Sequence, residues 1–142
     1  MLTWDPSLAI DVPEIDDQHR TLFAEVGRFD AAVRAGIQGA EIRKLFAFLG
    51  RYAEEHFEAE ERLMREAGYP RLASHALEHA EFRRRLATLL PHWESEGESI
   101  ALLMAVSGFL ARWLRDHVAT SDRAIGEYLR RRPPPPPGAP PP

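Results

Sequence analysis

His56 and Glu60 stand four residues apart. On a helix that is about one turn, a rise of roughly 6 Å, so the imidazole and the carboxylate share one face. Such a pair can hold one metal ion, or its carboxylate can bridge two. His75 and His79 repeat the spacing, His19 stands earlier in the chain, and His117 is followed five residues later by Asp122. Five residues is about 500° of rotation, which leaves the last two side chains offset by roughly 140°. Both reach one site only if the helix is locally widened, as by a π-type bulge, or if Asp122 leans toward the gap between helices.

The elements that must position these residues are helices. Leu22, Val26, Phe29 and Val33 recur at spacings of four and three, with His19 on the same stripe. Asp16 and Asp17 sit where a helix start favours negative charge, and Gly36 and Gly39 mark the end of this helix and the turn after it. A second helix is expected over about residues 41–67, with the stripe Ile42, Leu45, Leu49, Tyr52, His56, Glu60 and Leu63. Glu54, Glu55, Glu58 and Glu61 flank that stripe and read as solvated surface. A third starts near Arg71 with Leu72, His75, His79, Phe82, Leu86 and Leu89 inward. Pro91 is expected to end or kink it, with residues 94–97 as a loop. A fourth spans about residues 99–131 and carries His117 and Asp122 among its apolar positions.

These stripes and short connections predict an all-α fold, an antiparallel up-down-up-down four-helix bundle over residues 1–131. Residues 1–15 read as an extended arm interrupted by Pro6 and Pro13, and residues 132–142 as an exposed proline-rich tail. The tail is the one feature that suggests a protein partner, through a proline-binding module.

Composition excludes several classes. The 142 residues, 44% apolar and 28% charged, suit one soluble domain. A net charge of −4 argues against a nucleic-acid partner. The absence of cysteine removes thiolate sites and fits a reducing compartment, so a cytoplasmic location is expected. No apolar run approaches the ~18–20 residues of a membrane span, and the first ten residues do not read as a signal peptide.

One inward histidine is usually a hydrogen-bonded core residue. Five buried imidazoles without a metal need five sets of partners, at a cost of about 1–3 kcal/mol for each failure. His19, His56, Glu60, His75, His79, His117 and Asp122 are therefore taken together as metal ligands. His92, after Pro91, reads as surface and is left out. Seven ligands suit two ions, with the carboxylates able to bridge them. Nitrogen and oxygen donors without thiolate suit Fe, Zn or Mn, and imidazole-rich sites Fe, Zn or Cu. Carboxylate-rich diiron bundles use Glu-x-x-His, which this chain lacks. Fewer anionic ligands stabilise high-valent iron less, which favours reversible O2 binding over oxidative chemistry.

Five groups of residues taken together resemble the hemerythrin family, in its bacterial form. They are Ile15, Asp16, Asp17, Gln18 and His19; His56, Phe57, Glu60, Glu61 and Met64; Tyr69 and Pro70; His75, His79 and Phe82; and Trp113, Leu114, His117, Val118 and Asp122. The likeness covers residues 4 to about 130. It implies two Fe ions with a bridging oxo or hydroxo group, and O2 as the ligand. His75, His79 and His117 would complete one iron, His19 and His56 would bind the other, which keeps an open position, and Glu60 and Asp122 would bridge. Leu114 and Val118 would line the O2 pocket. Val118 stands where the family often has isoleucine. The expected role is O2 storage, delivery or supply rather than catalysis. An O2 or redox sensor is the second reading, and a peroxide- or nitric-oxide-consuming enzyme the third.

Overall fold

The computed structural model describes residues 3–36, 39–97, 99–133, 137, 138 and 140. Four helical rods carry the chain. They are α1 (Pro13–Arg34), α2 (Gly39–Ala67), α3 (Leu72–Glu96), and a fourth made of α4 (Ile100–Arg112), a π-helical segment (Trp113–Asp122) and α5 (Arg123–Arg131). No strand occurs among the described residues. The connections are far shorter than the rods, so each rod must reverse beside the one before it. Consecutive rods pack together, and α4 closes the bundle against α1.

Local chemistry sets the boundaries. Pro13 opens α1 at a position where its missing N–H costs nothing. Asp16 lies in the first turn of α1, as expected. It is buried, and its carboxylate accepts the Ile10 N–H at 2.8 Å, which ties the arm to α1. The arm itself contains a short 3-10 turn, Pro6–Leu8, and its Trp4 and Leu8 pack on the main core. Gly39, expected in the turn, opens α2. After α2, Gly68 adopts a left-handed φ of 66°. The Tyr128 hydroxyl donates to the Ala67 and Gly68 carbonyls at 3.1 and 3.2 Å and ties α5 to that turn.

The expected loop after α3 is corrected, and of the two effects expected of Pro91 the structure rules out an end to the helix. The helix runs through Pro91, and residues 94–96 are helical rather than loop. Pro91 and Ala87, whose carbonyl loses its bond, are both exposed, so water can satisfy the orphan acceptor. Beyond the proline, Trp93 packs 6.1 Å from the Phe46 ring, under the Arg43 guanidinium. That contact holds the last turn in place. The helix ends at Gly97, whose φ is 67°.

Each rod has the same internal order. Ile15, Ala59, Met64, Leu72 and Ile125 belong to or pack on a small apolar cluster toward one end. Leu22, Leu49, Phe57, Phe82, Leu110 and Val118 belong to the larger cluster toward the other. The histidines and acidic ligand candidates lie where one cluster gives way to the next. The expected proline-rich tail falls largely on residues 134–136, 139, 141 and 142, which lie outside the described residues. Arg132, Pro133, Pro137, Gly138 and Pro140 are exposed.

Candidate metal centre

All seven expected ligand residues are buried, and none is more than 3% exposed. The structure brings them into two overlapping sets. Glu60, His75, His79, His117 and Asp122 form one, and His19, His56, Glu60 and Asp122 the other. Within each set the donor atoms lie within 4.8 Å of one another. Glu60 and Asp122 belong to both. The π-helical segment explains how Asp122 joins His117: widening the helix brings residues five apart toward one face. The His117 Nε2 and Asp122 Oδ1 atoms are 2.9 Å apart.

Around this centre, each of three imidazoles is fixed by an acceptor at Nδ1. Gln18 Oε1 lies 2.6 Å from His56 Nδ1. Glu61 Oε1 lies 2.9 Å from His79 Nδ1. Glu78 Oε2 lies 2.5 Å from His117 Nδ1, and Ser121 Oγ donates to the same carboxylate at 2.8 Å. These acceptors place the ring proton on Nδ1 and aim the Nε2 lone pair at the centre. Ring stacking fixes the same three histidines. Tyr52 covers His56 at 4.6 Å, Phe57 covers His79 at 4.0 Å, and Trp113 covers His117 at 3.8 Å, all within 13° of parallel.

The sequence reading missed all three acceptors, and it placed Glu61 on the solvated surface. The corrected position has a simple cause. Each acceptor sits beside a ligand in the chain: Gln18 before His19, Glu61 after Glu60, Glu78 before His79. Each then serves a ligand on a neighbouring rod, because one residue of helix turns its side chain about 100° toward the next helix. Adjacency to a ligand was the available signal.

The donor set fits a metal. His75 Nε2 is 3.1 Å from Asp122 Oδ1, His19 Nε2 is 3.0 Å from Asp122 Oδ2, and His19 Nε2 is 3.1 Å from His56 Nε2. Yet His75 Nε2, His117 Nε2, Glu60 Oε1 and both Asp122 oxygens lack a hydrogen bond of acceptable geometry. Lone pairs converge on common points rather than on donors. Without a cation, protons must occupy that space. Burial opposes charge on His75 and His117, but Asp122 and Glu60 outweigh it and lift them to about 9 and about 10. Burial dominates at His56, which falls to about 4. Burial and Asp122 push the Glu60 carboxyl up, and the facing histidines still bring it down to about 2.

Leu114 and Val118 are buried in the larger apolar cluster, on the segment that carries His117. Neither lines the openings that reach His56, His75 or His117. His92 is exposed and stands outside both ligand sets.

The description "Hemerythrin HHE cation binding domain" matches residues 11–129. The chain belongs to the hemerythrin family. The bacteriohemerythrin of Stenotrophomonas maltophilia is 31% identical over 130 residues, covering 92% of this chain and 82% of its own. That of Methylococcus capsulatus is 29% identical over 130 residues, covering 91% and 97%. That of Clostridium acetobutylicum is 25% identical over 126 residues, covering 87% and 97%. A hemerythrin-type chain with this buried His, Glu and Asp cluster suits a non-haem iron site. Among the described residues no helix is long and apolar enough to cross a membrane.

Proposed function

We propose that this chain binds O2 reversibly at a pair of iron ions, for storage, delivery or supply. One observation carries the reading: two buried donor sets of unequal size that share both carboxylates. In it, His75, His79 and His117 would hold one iron and His19 and His56 the other, with Glu60 and Asp122, which belong to both donor sets, serving both. When bound, the iron pair supplies the electrons that O2 takes up and returns on release. The set with three histidines has five protein donors and its neighbour four, so the neighbour would be the set with fewer protein donors to compete with O2.

The chain's own residues make the site selective. Gln18, Glu61 and Glu78 hold three Nδ1 protons outward, so Nε2 faces the centre. Leu114, Val118 and the stacked rings of Tyr52, Phe57 and Trp113 keep the interior apolar and exclude water. Dryness favours release of O2 over loss of superoxide. We read the chain as a carrier rather than an enzyme.

The test uses protein loaded with ferrous iron without air. Two irons per chain, and a visible band that appears with O2 and vanishes under vacuum, are expected. A permanent change with two irons refutes reversible binding, and absence of iron refutes the centre.

A further inference from the structure

We infer that the groove between α3 and the fourth rod, whose lining includes the candidate ligand His117, is a binding site for a planar aromatic anion. The groove has a volume of about 620 Å³, within the usual range for small-molecule sites. Its floor is aromatic. Phe82, Phe109 and Trp113 are nearly buried, with Phe82 4.9 Å from Phe109 and 4.6 Å from Trp113. Such a floor favours a flat ring system through stacking and edge contacts.

The rim decides the charge of the occupant. Three carboxylates reach the groove, and each is already engaged. Glu78 accepts from His117 and Ser121. Glu81 pairs with Arg84, and Asp116 lies 2.9 Å from Arg115 Nε. Arg85 and Arg112 also line the groove; both are exposed and have no close ion pair or hydrogen bond among the described residues, and their charges act at longer range on Glu81 and Asp116. An occupant with a phosphate or carboxylate finds two guanidinium groups that are not held in a close ion pair, beside an aromatic floor. Guanidinium is well matched to either anion. A cation meets only carboxylates that have partners.

The floor also has a second side. The Trp113 indole that faces the groove stacks on His117 at 3.8 Å and 12°. Its Nε1–H donates to the Tyr52 hydroxyl at 3.4 Å, and Tyr52 stacks on His56. An aromatic occupant therefore sits beside Trp113 and His117 at the edge of one donor set, with Tyr52 continuing the aromatic contacts toward the other.

The probe is flavin mononucleotide, a planar aromatic phosphate, with riboflavin as the uncharged control. Both are titrated into the full iron-loaded chain, with iron content measured on the same sample. Saturable quenching of flavin fluorescence at one per chain is expected, with riboflavin at least tenfold weaker. The Arg85→Ala/Arg112→Ala double variant should bind the phosphate form as weakly as riboflavin, with unchanged helical circular dichroism. No saturable binding, equal affinity for the two flavins, or full affinity in the double variant overturns the inference. Flavin binding by a sample that holds no iron supports the groove and refutes the proposed diiron function, so the two failures are distinct.

Discussion

Glu78→Gln tests whether a neighbour of the centre sets its metal affinity. Glu78 Oε2 accepts the His117 Nδ1 proton at 2.5 Å, and Ser121 donates to the same group. Glutamine keeps the shape and one acceptor but loses the charge. The Glu78 side chain is 43% exposed, so solvent screens the pair, and the metal-free fold should lose less than about 1 kcal/mol. The metal should feel more, because a neutral acceptor makes His117 a poorer donor. Losses of about 10–100-fold in affinity are typical for such changes, or about 1.4–2.7 kcal/mol. The pH dependence has a definite sign. In the metal-free chain His117 is held up at about 10, against burial, by Asp122 and in part by Glu78. Removing the Glu78 charge weakens the proton that competes with the metal, which offsets part of the deficit near neutral pH. The deficit should therefore widen from pH 7 to pH 8.5. Competition titration with Co2+ as a spectroscopic stand-in measures it, with Glu81→Gln on the same rim as control. An affinity within threefold of wild type at both pH values refutes the reasoning. So does a drop matched by equal loss of thermal stability without metal.

Three further outcomes are expected. His117→Ala should lower iron retention and His92→Ala should not, since His117 belongs to a donor set and His92 is exposed outside both; equal iron content in the two variants sinks the assignment. Metal loading at pH 7 should release at least two protons, because His75 and His117, at about 9 and about 10, are charged in the metal-free chain and must lose their protons to bind, and, against burial, Asp122 raises His19 as well. Those raised values stabilise the metal-free fold fully below about 6.5, and the contribution fades as pH rises through about 9 and 10. Calorimetry in two buffers of different ionisation enthalpy counts the protons, and a count of zero contradicts the geometry. Gly126→Ala places a Cβ 2.8 Å from Ile10 Cα and 2.9 Å from its Cβ. The arm must shift, at about 1–3 kcal/mol. Gly50→Ala, with nothing within 4 Å, should instead stabilise by about 0.5–1 kcal/mol. Thermal melts that rank the two in the opposite order would contradict the packing described.

The helical class and the inward-facing residues were legible from periodicity alone, because a period of 3.6 leaves a stripe that water disfavours. The polar layer was legible too, since Leu22, Leu49, Phe82 and Leu110 cannot share a core with five histidines unless something satisfies the imidazoles. The five-residue spacing of His117 and Asp122 left two routes open, a widened helix or a leaning Asp122, and the structure takes the first. Contacts between rods were not legible. Gln18, Glu61 and Glu78 each serve a histidine on another helix, and nothing in one stripe says which neighbour a side chain one residue off the stripe will meet. Helix α3 passes Pro91 because Trp93 finds Phe46 across the bundle, a contact 47 residues distant that outweighs a local breaker. The groove over Trp113 is built from residues of two rods, and the charges that stand beside Arg85 and Arg112 are set by how those rods meet. Periodicity is a property of one helix, whereas partners are decided by how helices are set against each other.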